Sequence, residues 1–304
     1  MMNRVLITDG MEKDAVEGLI CSGFEVVEQH FEEDELKEQI KNFDAVVVRS
    51  ATKIRQPVID AALETGRLKL IIRGGVGIDN IDFEYAGSKG IIVKNTPNAS
   101  SASVAELVIG HLFCLARYLY IANHTMRSGK WNKKNYEGIE LTGKTLGLIG
   151  FGRIAKETAK RAAALGMKVI YTKRSGAEEG YEDYRYVTLD ELLAESDFVS
   201  LHMPCLEDRS PVVGKEQIAK MKDGVYIINT SRGELINEEE LLDALDSGKV
   251  AGAALDVFAE EPTKNERLFT HEKVSITPHI GACTMEAQKR VGAEVVDIIL
   301  KYFK

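Results

Sequence analysis

Long apolar runs are missing from the chain. No stretch approaches the ~18 residues of a membrane-spanning helix, and the N-terminus, MMNRVLITDG, enters a strand pattern without the basic and apolar regions of a signal peptide. A membrane partner and a secreted protein are therefore not expected. Cysteine is scarce as well. Cys21, Cys114, Cys205 and Cys283 stand far apart and form no CxxC pair, which argues against a disulfide scaffold or a cysteine metal site and for free thiols in a reducing cytoplasm. Positive charge is in deficit: 39 Lys and Arg face 47 Asp and Glu, a net charge of −8. That balance argues against nucleic acid or an anionic membrane as the main partner. A small anionic ligand stays open, because local basic residues can oppose the overall sign. Tandem repeats and low-complexity segments are absent too.

What the chain does have is 304 residues, 44% of them apolar, enough for one large core or two moderate ones. Short apolar, β-rich runs recur at Val5–Thr8, Phe24–Val27, Ala45–Val48, Leu70–Ile72 and Ile91–Lys94. A second series follows at Leu146–Ile149, Val169–Tyr171, Phe198–Leu201, Val225–Asn229, Ala253–Val257 and Val274–Thr277. Helical patterns such as ELKEQIKN and GELINEEELLDALDSG lie between them, so the class is α/β with parallel sheets covered on both faces. Two series suit two doubly wound, Rossmann-like domains with a cleft between them better than one sheet.

The boundary falls near NTPNASSASVAELVIGHLFCLARYLY. There Ser103 and Glu106 have a capping-box spacing, and Val104, Leu107, Val108, Leu112 and Leu115 form the apolar stripe of one long helix. The tail from Met285 to Lys304 reads as a single helix that the first domain reclaims. The expected division is 1–97 with 283–304, and 98–282.

The stretch GLIGFGRIAKETAKRAAALGMKVIYTKR carries the strongest motif. Gly150, Gly152 and Ala155 form GxGxxA directly between a strand and a helix. The first glycine permits a tight turn, the second lets backbone approach a pyrophosphate, and the third position must be small for helix–strand packing. The helix start then presents free N–H groups to the phosphates. A glycine turn alone can be merely structural; the flanking strand, helix and second strand point to a dinucleotide. NAD-binding units carry an acid at the end of that second strand, roughly 20 residues on. Here Lys173 and Arg174 stand in its place, which tilts the cofactor from NAD toward NADP, since cations can hold a 2′-phosphate.

Nicotinamide chemistry also needs a cation for an anionic substrate, a proton donor or acceptor, and a partner that tunes it. Candidates follow strands of the second series: Arg232 in NTSRGELI, Glu260 and Glu261 in DVFAEEP, and His279 in TPHIGA. In doubly wound sheets the carboxyl ends of strands line the ligand crevice. Arg232 can grip a carboxylate through its planar fork, His279 can pass one proton, and a glutamate can bond the imidazole and keep its protonated form available. Spacing alone leaves Glu260 and Glu261 equal. His202, in SLHMP, ends a strand and can border the cofactor. His111 reads as packed within its helix, and His30, His124 and His271 as surface residues; none is spaced as a metal ligand. In the first series, Arg49, Ser50, Thr52 and Lys53 (VVVRSATKI) and Arg73, Gly74, Gly75 and Gly77 (IIRGGVGIDN) follow strands and suit a carboxylate or phosphate.

Over nearly its whole length the sequence resembles the D-isomer-specific 2-hydroxyacid dehydrogenases. The matching pieces are VRSATKI, GVGIDNID, NTPNASSASVAEL, CLAR, GKW, GKTLGLIGFGRIA, NTSRGELI, AGAALDVFAEEP and TPHIGACTMEAQKR. VRSATKI and HIGACTMEAQ lean toward the branch acting on 3-phospho-D-glycerate, the first step of serine synthesis. The resemblance implies a substrate domain from the N-terminal segment plus the last helix, a central cofactor domain, and a homodimer built mostly through that central domain. It selects Glu261 over Glu260 and gives Arg232, Glu261 and His279 the catalytic roles. It places Arg153 and Ile154 at the pyrophosphate, Thr230 and Asp256 near the nicotinamide with Gly281 and Ala282 beside it, and Arg49, Ser50, Gly75 and Asn98 around a small anionic 2-hydroxy or 2-oxo acid. Similar hydroxypyruvate and glyoxylate reductases often use NADP and carry basic residues where Lys173 stands, so that activity is the alternative. A dinucleotide-sensing corepressor, which shares the fold and the Arg, Glu and His set, is a remoter one. Long relatives continue into a serine-binding domain beyond the position of Lys304, so feedback through such a domain is not expected.

Overall fold

A computed structural model describes residues 2–304, which divide into two compact units: 2–100 with 282–304, and 101–281. The first unit holds β1 (Arg4–Ile7), β2 (Glu25–Glu28), β3 (Ala45–Val48), β4 (Leu70–Arg73) and β5 (Ile92–Asn95). They form one parallel sheet in the order β2-β1-β3-β4-β5, the flavodoxin-like winding. Alternate residues serve opposite faces. Leu6, Val46, Val48 and Ile71 pack into one core, and Val5, Ile7, Ala45, Val47, Leu70 and Ile72 into the other. The second core is closed by the helix Met285–Phe303 through Val291, Val295 and Ile299. Ala99 joins the same core, and its carbonyl accepts a bond from Arg290 Nε at 2.7 Å. Residues 98–100 and 282 therefore fall within this unit, a few residues away from the boundaries expected from the sequence.

The second unit holds β6 (Thr145–Ile149), β7 (Lys168–Thr172), β8 (Arg185–Tyr186), β9 (Phe198–Leu201), β10 (Val225–Asn229), β11 (Val250–Leu255) and β12 (Val274–Ile276). Their order, β12-β11-β10-β9-β6-β7-β8 and parallel throughout, is the Rossmann winding with one added edge strand. Chain order reverses between β6 and β9, the switch point beside which such sheets bind ligands. β8 was not expected from the sequence: its two residues are both exposed, so no apolar period announces it.

The helix expected after the boundary is present, with Val104, Val108, Leu112 and Leu115 of its stripe buried. It spans Ser101–Arg117 and ends at Tyr118 (φ 54°); a second helix, Leu119–Arg127, follows at a bend of 67°. A left-handed residue cannot continue a right-handed helix. Ser103 and Glu106 do not form a capping box, because the helix already begins at Ser101. Ser103 is buried inside it, and Glu106 instead pairs with Arg161 at 3.2 Å. Among the described residues no single helix is long and apolar enough to cross a membrane.

Candidate active site

β6 ends in the glycine turn. Gly150 has φ +92°, and a Cβ there would lie 2.3 Å from the carbonyl oxygen of His202, so both the backbone conformation and the close approach require glycine. Gly152 caps the helix Arg153–Ala164 in extended conformation, and a Cβ on it would meet nothing within 4 Å. The turn thus leaves open space at the helix start, where the first-turn N–H groups of Arg153 and Ile154 lack intrahelical partners. Ala155 is fully buried against the sheet.

Two buried polar atoms at neighbouring strand ends have no hydrogen-bond partner among the described residues: Nδ1 of His202, after β9, and Oγ1 of Thr230, after β10. Buried polar groups are nearly always bonded, so these two mark places for a polar ligand to complete. His202 stays neutral, because burial pulls its pKa down to about 3; its Nε2 lies 2.9 Å from Ser200 Oγ. The turn, the open helix start and these orphaned atoms fit a dinucleotide. Lys173, directly after β7, is not free for one: it is paired with Glu178, which the sequence reading did not single out. Arg174 is exposed.

Arg232, Glu261 and His279 come together through a chain of contacts. Asn229, at the end of β10, shapes the NTSRG turn: its Nδ2 donates to the Arg232 carbonyl at 2.7 Å, and its Oδ1 accepts from the Ser231 N–H at 3.0 Å. Gly233 then presses on the Phe258 backbone so closely that a Cβ would sit 1.8 Å from its carbonyl carbon. Phe258 N–H donates to Glu261 Oε1 at 3.1 Å, and Glu261 Oε2 lies 2.7 Å from His279 Nδ1. With Nδ1 held by the carboxylate, Nε2 is the nitrogen left for a substrate oxygen. Partial burial pushes the Glu261 carboxyl up, but the bond and charge of His279, the Phe258 N–H and the charge of Arg232 outweigh it and hold it below the ordinary range. Glu261 therefore remains a carboxylate at neutral pH.

His279 sits at φ 52°, a conformation that costs a non-glycine residue about 1–3 kcal/mol and persists only where its surroundings impose it. Asp256, buried at the end of β11, imposes it. Its carboxylate accepts from Thr277 Oγ1 at 2.6 Å and from the N–H groups of Ile280 and Gly281, both at 2.8 Å. The resemblance placed Asp256 near the nicotinamide; here its oxygens are spent on holding the His279 turn and Gly281. His111 is packed in its helix as the sequence suggested, with Nε2 3.3 Å from Thr277 Oγ1; burial lowers its pKa, with Asp256 pulling the other way. Ala282, where the chain enters the other unit, accepts from Gln288 Nε2 at 2.8 Å.

In the first unit, Arg49 and Ser50 follow β3, Gly75 follows β4 and Asn98 follows β5, so the four lie at the carboxyl ends of adjacent parallel strands. Asp9, after β1, organises them. Its carboxylate accepts from the Arg49 N–H at 2.6 Å, the Thr52 N–H at 3.1 Å and Thr52 Oγ1 at 2.6 Å. Asn80 ties the second turn to the first, donating to the carbonyls of Arg49 and Thr52, both at 2.7 Å. The Arg49 side chain runs beside Gly74, and its guanidinium makes no hydrogen bond or ion pair among the described residues.

Burial pushes the Asp9 carboxyl up, but the bonds from Thr52, Arg49 and His30 win and lower it. Its stabilisation is therefore present above the unfolded carboxylate range and is lost as pH falls through the depressed folded value. Asp9→Ala is expected to cost roughly 2 kcal/mol or more at neutral pH, since three donors lose their acceptor. Urea unfolding at pH 7 and pH 3 checks this; the gap between variant and parent should shrink on acidification.

The profile of the D-isomer specific 2-hydroxyacid dehydrogenase NAD-binding domain matches residues 109–281. A hydroxypyruvate reductase of Thermotoga maritima is 48% identical over 98% of this chain and 97% of its own length. A D-3-phosphoglycerate dehydrogenase of Methanocaldococcus jannaschii is 45% identical over the whole chain, which spans only 58% of that protein. A solved glyoxylate reductase from Paecilomyes thermophila superposes with a TM-score of 0.89 at 33% identity, covering 98% of this chain and 94% of its own.

The chain belongs to the D-isomer-specific 2-hydroxyacid dehydrogenase family. Its members are nicotinamide-dependent oxidoreductases of small 2-hydroxy and 2-oxo acids, and this dehydrogenase stands near the phosphoglycerate and hydroxypyruvate branches. The residues that sequence reasoning missed in it are Asp9, Asn80, Asn229 and Glu178. Asp9 and Asn229 carried a usable signal, a polar residue directly at the carboxyl end of a strand. Asn80 and Glu178 lie in loops and carried none.

Proposed function

We propose that this dehydrogenase interconverts 3-phospho-D-glycerate and 3-phosphohydroxypyruvate. The observation that carries the chemistry is the Glu261–His279 pair at 2.7 Å, with Arg232 close enough for its charge to act on Glu261. His279 takes the C2 hydroxyl proton at Nε2 during oxidation and returns it during reduction, and Glu261 stabilises the imidazolium. Arg232 binds the substrate's carboxylate and the C2 oxygen, and so favours the polarised carbonyl. A nicotinamide held at the site would supply the acceptor, or the donor, of the C2 hydride. Gly150, Gly152, Arg153 and Ile154 would hold its pyrophosphate, with Thr230, Gly281 and Ala282 toward the nicotinamide end.

The phosphorylated substrate is supported by the uncommitted Arg49 guanidinium, on a loop braced by Asp9 and Asn80. Reduction of unphosphorylated hydroxypyruvate or glyoxylate is the second reading, favoured by the full-length likeness to a hydroxypyruvate reductase. Initial rates with 3-phosphohydroxypyruvate, hydroxypyruvate and glyoxylate, each with NADH and NADPH, decide between them. The expected kcat/KM for the phosphorylated acid exceeds the others by about tenfold or more, the worth of one charge-assisted contact, and Arg49→Ala removes the preference. Equal or better turnover of the unphosphorylated acids assigns the reductase activity. The same reading makes the protein a homodimer. Leu119 and Met126 are exposed on the helix Leu119–Arg127, which buries none of its residues, and Trp131 is exposed just beyond it. Light scattering tests the assembly.

A further inference from the structure

The end of β7 carries cations where an acid is usual, yet an acid is present in space. Glu178, in the loop beyond β7, is held by both of its oxygens. Lys156 Nζ, from the helix that begins at the glycine turn, lies 2.5 Å from Oε1, and Lys173 Nζ pairs with Oε2. The two lysines hold the Glu178 carboxyl down to about 2, so it is charged at any working pH.

The position is built rather than casual. Glu178 N–H donates to the Tyr171 hydroxyl at 2.8 Å, and the buried Tyr171 ring stacks on Phe151 with centroids 3.8 Å apart. Phe151 is the residue between Gly150 and Gly152 of the nucleotide turn. Tyr181, further along the same loop, sets its ring edge on Phe151 and lies 4.5 Å beneath the Lys156 ammonium. Loop, second strand and glycine turn are thus one packed assembly that fixes where the carboxylate stands.

A 2′-phosphate at the strand end needs a cation whose charge is not already spent. Both lysines there are paired with Glu178. A phosphate dianion must break two charge-assisted bonds or sit beside a carboxylate, whereas a neutral ribose diol meets neither cost and can donate to an acid. Arg174 is exposed and adjacent, but Glu179, also exposed, follows on the same loop.

We propose that Glu178 is the cofactor-specificity residue of this enzyme: clamped between Lys156 and Lys173, it engages both ammonium groups, places a negative charge at the strand end and selects the cofactor without a 2′-phosphate, NAD(H), over NADP(H). This rests on the reading of the glycine turn as a dinucleotide site, and it runs against the preference suggested by Lys173 and Arg174 in the sequence.

Calorimetric titration at fixed ionic strength tests it, with NADH and NADPH and with the fragments adenosine 5′-monophosphate and adenosine 2′,5′-bisphosphate. The parent should bind NADH the more tightly. Glu178→Gln should move the NADPH-to-NADH affinity ratio about tenfold toward NADPH, the size of one freed charge-assisted contact, with the same shift between the fragments. Lys173→Met alone should leave NADPH affinity within about threefold, because that charge is already spent, but should cancel the gain when added to Glu178→Gln. A shift below about threefold in Glu178→Gln, a parent that prefers NADPH, or a tenfold loss of NADPH affinity in Lys173→Met alone overturns the proposal. Failure of all four probes to bind the parent would overturn the dinucleotide reading itself, and the proposal with it.

Discussion

Replacing Arg232 with alanine is expected to lower kcat/KM by about three orders of magnitude, with thermal stability little changed. A guanidinium that grips a carboxylate and a developing C2 oxyanion is worth more in the transition state than in the ground state; removing a single oxyanion donor costs about 10²–10³ in rate, and the lost carboxylate grip adds to that in KM. The effect should fall on both kcat and KM, because the same fork binds and polarises. Arg232→Lys is expected to recover only a small part, since an ammonium cannot reproduce the planar, two-point contact. The turn is held mainly by Asn229 through backbone bonds and by the contact of Gly233 on Phe258; the guanidinium adds a bond from Nη1 to the Ser231 carbonyl at 2.6 Å, so most of the turn's support survives the change. Steady-state kinetics with either candidate acid, beside a thermal melt, checks both halves. Turnover within a few fold of the parent would remove Arg232 from the mechanism.

Replacing His279 with glutamine is expected to lower kcat by about 10²–10⁴, the usual worth of a positioned general acid–base. Both directions should suffer alike, because the same group gives the proton in reduction and takes it in oxidation. Glu261→Gln should retain part of the rate, because the imidazolium formed in the reaction loses the carboxylate 2.7 Å from its Nδ1 but keeps its place. Steady-state kinetics in both directions, beside a thermal melt, checks this; a loss confined to one direction would remove His279 as the proton carrier.

The sequence reading succeeded where burial leaves a pattern. AVVV of β3 and FVSL of β9 are buried at every position, and such continuous apolar runs announce strands covered on both faces. It failed where position depends on one backbone angle or on a loop. The φ of Tyr118 ends one helix and starts another, Leu119–Arg127, that the sequence did not announce, and β8 contributes two exposed residues with no period. In the site, Arg232, Glu261 and His279 were legible because each follows a strand and strand ends line the crevice in this architecture. The braces were not. Glu178 reaches Lys173 by a loop path that no spacing rule encodes, so one of the two cations that looked available for a phosphate is already paired. The part Asp256 plays in anchoring the His279 turn was not legible either.

The account turns on hydride transfer at C2 of a D-2-hydroxy acid, with the hydroxyl proton passed to His279. The most direct test is the initial rate of nicotinamide reduction with the separate D and L isomers of glycerate and of 3-phosphoglycerate. The account predicts that at least one D isomer is oxidised, that its L counterpart is not, and that the rate falls by about 10²–10⁴ in His279→Gln. Oxidation of an L isomer, or no oxidation of any of the four by protein that binds the dinucleotide, would contradict it.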